Sequence, residues 1–207
     1  MAEPSASLTL LEACWRDLVM GVVQGLTEFL PISSTAHLKV VPELLGWGDP
    51  GVSVTAAIQL GSIVAVIAYF RTDLSQVLRG ISRAFRNGQW REPEARLGFA
   101  MVVGTLPILL IGLGIKFAWA QGYEQSSLRS LPSIAIVSIL MALLLALAEQ
   151  VGARRKQLQV VSGRDGLLVG LAQALALLPG VSRSGSTLTA ALFDSWQRAD
   201  AARFSFL

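Results

Sequence analysis

Residues 21–39 read GVVQGLTEFLPISSTAHLK, which sets a carboxylate, a proline, a run of hydroxyl side chains and an imidazole inside an apolar region. His37 is the only histidine in the 207-residue chain. Apolar sequence lies on both sides, at 18–27 and again at 40–46. The apolar run at 18–30 that precedes Pro31 is too short to cross a hydrocarbon core about 30 Å thick as a helix. A helix that stops at Pro31 and restarts after a Ser/Thr cluster predicts a hairpin over 17–46, entering a membrane and returning on the same side. Backbone freed by such a break is tolerated at membrane depth only where it is buried in protein or lines a cavity. The polar cluster is therefore expected to face a cavity.

A second stretch has the same order of parts. Residues 170–187 read GLAQALALLPGVSRSGST. In both copies a glutamine stands three residues after a glycine, followed by an apolar run, a proline and a serine-rich break. This predicts an internal repeat, with a second hairpin over 166–195.

Composition sets the class. The chain is 53% hydrophobic and 15% charged, with a mean hydropathy of +0.56; soluble domains carry about a quarter charged residues. Residues 50–70, 98–115 and 130–148 contain no charge, and each is about long enough to span as a helix. Connection 71–96 carries Arg71, Arg79, Arg83, Arg86, Arg91 and Arg96, connection 151–165 carries Arg154, Arg155, Lys156 and Arg164, and 118–129 carries only Arg129. The positive-inside rule places the first two in the cytoplasm and the third outside. Three crossings between the hairpins invert the second copy relative to the first, so the breaks are expected to meet near the midplane, where inverted-repeat proteins build their sites. Leu74, Val77, Leu78, Ile81 and Phe85 recur at near-helical spacing, which predicts an amphipathic segment on the inner membrane surface.

The fold class is thus all-α and integral to a membrane, an inverted-topology repeat with two re-entrant helix–break–helix hairpins plus transmembrane helices. One membrane domain covers 1–207, with repeat one over about 15–150 and the start of repeat two over about 166–207. A lone cysteine, Cys14, rules out internal disulfides and multi-thiolate metal sites. Met20 stands where a thiol phosphatase would need arginine. Glu3 and Glu12, with no basic residue before Arg16, do not read as a cleaved leader. A net charge of +3 calls for no nucleic-acid partner.

At the breaks the chemistry converges. Gln24 and Glu28 share a helix face at i, i+4. Ser33, Ser34, Thr35 and His37 follow the first proline; Ser182, Arg183, Ser184, Ser186 and Thr187 follow the second. Each admits a structural reading: a Glu28–Arg183 ion pair, serines capping half-helices, an interfacial His37. Together, a guanidinium, hydroxyls and two helix N-termini make a pocket for a multiply charged oxyanion, above all a phosphate. Glu28 and His37 beside it supply a metal ligand or a proton-transfer pair.

These residues carry a family resemblance. QGLTEFLPISSTAH and PGVSRSGST resemble the two signature motifs of the bacterial undecaprenyl-diphosphate phosphatases, the integral-membrane type linked to bacitracin resistance. Gln24, Glu28, Pro31, Ser33, Ser34 and His37 fill the first, and Pro179, Gly180, Ser182, Arg183, Ser184 and Thr187 the second. IQLGSIVAV at 58–66 and AARFSFL at 201–207 are also similar to family sequence. The resemblance implies hydrolysis of a C55 polyprenyl diphosphate to the monophosphate, a divalent cation (Mg²⁺ or Ca²⁺) with Glu28 as candidate ligand, and an inner-membrane protein working from the periplasmic side. A homodimer is compatible with it. Two departures stand out. Gln24 occupies a position where many relatives have glutamate, which leaves one carboxylate in the pair. The chain also stops at RFSFL, a turn or two into a helix, where relatives continue, so a C-terminally truncated sequence is expected.

The residues leave the nucleophile open among Ser34, His37 and water. A two-histidine lipid phosphatase needs a second histidine that this chain lacks. The rival is a secondary transporter or flippase for an anionic lipid, built on the same repeats and helix ends.

Overall fold

The structure is a computed structural model that describes residues 9–119, 122 and 126–207; part of the connection 118–129, expected on the outer side, falls outside them. The described residues form helices joined by short turns: α1 (Leu10–Glu28), α2 (Ser34–Leu44), α3 (Gly51–Tyr69), α4 (Arg71–Asn87), α5 (Pro93–Ala118), α6 (Leu131–Val151), α7 (Gly163–Ala174), α8 (Arg183–Phe193) and α9 (Arg198–Phe206).

Local signals start and stop these helices. Thr9 and Glu12 form a capping box at the start of α1, and Ser162 and Asp165 form another at the start of α7. Pro93 opens α5, where its missing N–H costs nothing. Gly88, at φ 70°, ends α4 in the left-handed conformation that glycine adopts freely.

Helices α5 and α6, of 26 and 21 residues, are each long and apolar enough to cross a membrane. Only 17% and 11% of their most apolar stretches are buried. Leu106, Leu110, Ile136, Leu140 and Leu143 stand exposed along them, a surface that hydrocarbon covers and water does not. The chain is an integral membrane protein. The third apolar stretch, α3, pairs with α4 as one broken unit bent by 69°. The arginine-bearing connection 71–96 is mostly helix: in α4, Val77 and Ala84 are buried, Leu78 and Phe85 lie exposed, and Val77 and Ile81 close over Gly98 of α5.

Both connections rich in arginine lie at one end of the bundle, linked where Arg96 donates to the Val160 carbonyl at 2.8 Å. At this basic end the core gathers around Trp196, fully buried and stacked on Phe204 at 5.2 Å. Helix α7 runs parallel to α5 at close range. A Cβ on Gly166 would come within 2.1 Å of the Ala100 carbonyl, and one on Gly170 within 2.2 Å of the Gly104 carbonyl.

Each broken segment begins and ends at one place. Lys156 binds both Asp165, in the first turn of α7, and Asp194, just past α8, so the α7–break–α8 segment leaves the basic end and comes back to it. Burial pulls the Lys156 ammonium down, but hydrogen bonds and attraction from the two carboxylates more than offset this and leave it above the ordinary lysine range. At the opposite end Arg16, early in α1, lies 5.3 Å from the ring of Trp47, just past α2. The two breaks touch where Ser184 Oγ donates to the Leu30 carbonyl at 3.3 Å, and beside them Phe29 packs on Phe206 at the end of α9 at 5.9 Å.

Candidate active site

Glu28 is the last residue of α1, and its carboxylate is the centre of the site. Oε1 accepts from Arg183 Nη2 at 2.9 Å and from Gln59 Nε2 at 3.0 Å. Oε2 accepts from Ser34 Oγ at 2.6 Å and from Gln24 Nε2 at 3.1 Å. Charge-assisted bonds of this kind are the strong ones. The Glu28 side chain is 10% exposed, whereas that of Arg183 is 47% exposed, so the guanidinium keeps a free face beside a fixed carboxylate.

The turn after Glu28 presents the hydroxyls. Ser33 is held at φ 63° as the N-cap of α2, a left-handed conformation that costs a residue with a Cβ about 1–2 kcal/mol. Its Oγ is buried with no hydrogen-bond partner among the described residues. Ser34 then opens α2 and reaches back to Glu28. On the other side Ser182 caps α8 by accepting from Gly185 N at 3.1 Å, and it pairs with Ser184 Oγ at 3.2 Å.

A cavity of about 260 Å³ collects Thr27, Glu28, Ser33, Ser34, Thr35, Gln59, Ser182, Arg183 and Ser184, closed by Ile108, Ala176 and Val181. Of the residues expected from sequence, Glu28, Ser33, Ser34, Thr35, Ser182, Arg183 and Ser184 thus line one space. Gln24 lies behind Glu28, 1% exposed. His37 lies off the lining, with Nδ1 2.9 Å from the Ser33 carbonyl. Ser186 and Thr187 turn away: both hydroxyls donate to the Arg183 carbonyl at 2.9 Å, and Thr187 also meets Ser205. The cavity adjoins a vestibule of about 350 Å³ that shares Thr35 and Gln59 with it and is lined by Lys39, Asp49 and Thr55 at the end away from the basic connections.

Gln59 and Ser62 of α3 were missed by the sequence reading. Gln59 binds Glu28 through its nitrogen and Gln24 through its oxygen, and Ser62 accepts from Gln24 at 3.3 Å. Thr55, Gln59 and Ser62 follow i, i+4, i+7, a polar stripe on one face of an otherwise apolar helix, and that spacing was the available signal.

A divalent cation held by the protein alone does not fit this set. Such ions take six or more oxygens, usually with carboxylates. Among the described residues no three of His, Cys, Asp and Glu converge, and the single carboxylate already accepts from four donors.

The sequence of residues 17–207 matches the family described as bacitracin resistance protein BacA. The chain belongs to that family. Relatives named undecaprenyl-diphosphatase are close. The one from Synechococcus sp. (strain CC9605) is 92% identical over all 207 residues, which cover 72% of its length. The one from Parasynechococcus marenigrum (strain WH8102) is 81% identical over the same span and share. That of Prochlorococcus marinus (strain MIT 9303) is 75% identical over 198 residues, 96% of this chain and 67% of its own. Both motif-bearing breaks fall inside the span that the BacA family covers.

Proposed function

We propose that the chain hydrolyses undecaprenyl diphosphate to undecaprenyl phosphate and inorganic phosphate, the activity its BacA relatives are named for, and so returns the lipid carrier to cell-wall synthesis and confers bacitracin resistance. The observation that carries the reading is Glu28, which joins a serine hydroxyl from one break to a guanidinium from the other. A carboxylate 2.6 Å from Ser34 Oγ is within reach to take its proton.

In this reading Ser34 attacks the terminal phosphorus as Glu28 accepts the hydroxyl proton. The bond to the bridging oxygen breaks, and undecaprenyl phosphate leaves. Arg183, with a free face toward the cavity, stabilises charge on the transferring phosphoryl oxygens. The unpaired Ser33 hydroxyl, Thr35, Ser182 and Ser184 hold the diphosphate. Glu28 passes that proton to the departing lipid phosphate, then takes one from an attacking water as the bond from phosphorus to Ser34 Oγ breaks and returns it to Ser34 Oγ, which frees inorganic phosphate. His37 supports the Ser33 turn. A divalent cation, where one takes part, would reach the site on the diphosphate's own oxygens.

The bundle is read as an inverted repeat with two re-entrant hairpins in the inner membrane. The Lys156 and Arg16–Trp47 contacts support this, because each closes one broken segment at its own end. With the basic end in the cytoplasm, the vestibule opens to the periplasm. Transport alone would need the arginine and donors but no carboxylate beside a serine. The experiment is phosphate release from undecaprenyl diphosphate by the purified chain; no release from a folded sample would overturn the reading.

A further inference from the structure

Behind Glu28, a nitrogen atom sits in a shell of oxygens. Gln24 Nε2 lies 2.6 Å from Gln59 Oε1, 3.1 Å from Glu28 Oε2 and 3.3 Å from Ser62 Oγ. Three oxygens from two helices surround one atom, and Gln24 and Ser62 are both buried. Hard cations are held by oxygen shells of this kind, at shorter range of about 2.0–2.6 Å. Here the atom at the centre is an amide nitrogen, whose two hydrogens point at acceptors.

We propose that the Gln24 amide does the work of a cation: it bridges Glu28 to α3, so the chain holds no divalent ion at this carboxylate until substrate arrives. Only the remark about substrate rests on the diphosphatase reading. The charge of Glu28 is met instead by Arg183, by the Gln24 and Gln59 amides and by the Ser34 hydroxyl. A glutamate at position 24 reverses the situation. Its oxygen would face the Glu28 carboxylate and the Gln59 carbonyl oxygen with no hydrogen to give. Two carboxylates about 3 Å apart do not both ionise without a proton or a cation between them. Gln24→Glu therefore builds a divalent site where the native chain has none.

The test is a titration of Mn²⁺ into the full chain purified in detergent, without lipid, reading the free ion by electron paramagnetic resonance at mildly alkaline pH. Wild type and Glu28→Gln should bind alike, and Gln24→Glu should bind one additional ion per chain. A stoichiometric ion bound by wild type and lost in Glu28→Gln overturns the proposal. So does a folded Gln24→Glu protein that gains no ion. If Gln24→Glu does not fold, the comparison of wild type with Glu28→Gln decides alone. The titration contains no substrate, so a failure of the diphosphatase reading appears separately, as missing phosphate release.

Discussion

Arg183 Nη2 donates to Glu28 Oε1 at 2.9 Å although the two residues lie 155 positions apart. This contact joins the two breaks, and it fixes one edge of the guanidinium while the rest faces the cavity. Arg183→Ala and Arg183→Lys should both lose most activity, on the order of 10²–10³ in turnover, the scale of losing a preorganised charge stabiliser. Lysine keeps the charge but not the planar fork that meets carboxylate on one edge and phosphate on the other. A lysine enzyme with near wild-type phosphate release removes Arg183 from the proposed role.

Glu28→Gln should cost about 10²–10⁴ in turnover, the range for loss of a positioned base. The amide still fills the space, so affinity for a non-hydrolysable diphosphate lipid should change only slightly. Turnover and equilibrium binding measured on the same preparation check this. A loss confined to binding points to a structural partner of Arg183.

Ser34→Ala should be as inactive as Glu28→Gln, whereas His37→Ala should keep far more activity, since His37 meets a backbone carbonyl off the cavity lining. Acid quench of wild type turning over lipid labelled at the terminal phosphate should trap label on the protein, and Ser34→Ala should trap none. In a parallel alkaline quench, which preserves an acid-labile phosphohistidine, label retained in Ser34→Ala and lost in His37→Ala would transfer the nucleophile to the imidazole.

Lys156 gives the pH dependence of the fold. Its folded pKa is raised, so its contribution to stability is complete below the unfolded lysine value of about 10.4 and declines as pH rises through the folded value. Thermal stability attributable to this contact should be flat through neutrality and fall only in strong alkali. Lys156→Met strands Asp165, whose side chain is 5% exposed, and should cost about 3–5 kcal/mol, as removing one partner of a buried pair does. Melting curves in detergent across pH test both statements; a native-like Lys156→Met melt shows that the contact is idle.

Much of this site was legible because membrane sequence makes polar residues conspicuous. Arg183 is the one charged residue between Asp165 and Asp194, and a charge there has few places to go except a polar partner. Pro31 and Pro179 marked the breaks for a different reason, because proline lacks the backbone N–H that would continue a helix. Ser186 and Thr187 were indistinguishable from Ser182 and Ser184 in the sequence. The helix that starts at Arg183 sets their hydroxyls against carbonyls one turn back, an outcome fixed by where the helix begins and not by residue type. Gln59 was hidden by distance along the chain: only packing of α3 on α1 brings an amide at position 59 onto a carboxylate at position 28.

Ser33 combines a left-handed backbone with a buried hydroxyl that has no partner among the described residues. Glycine would take the same φ freely and remove the orphaned group, whose burial costs about 1–3 kcal/mol. Under the proposed function, folding and chemistry therefore pull position 33 in opposite directions. In a lineage that no longer met its lipid, serine here would be among the first residues to drift to glycine, leaving a more stable protein that has lost a hand on its substrate.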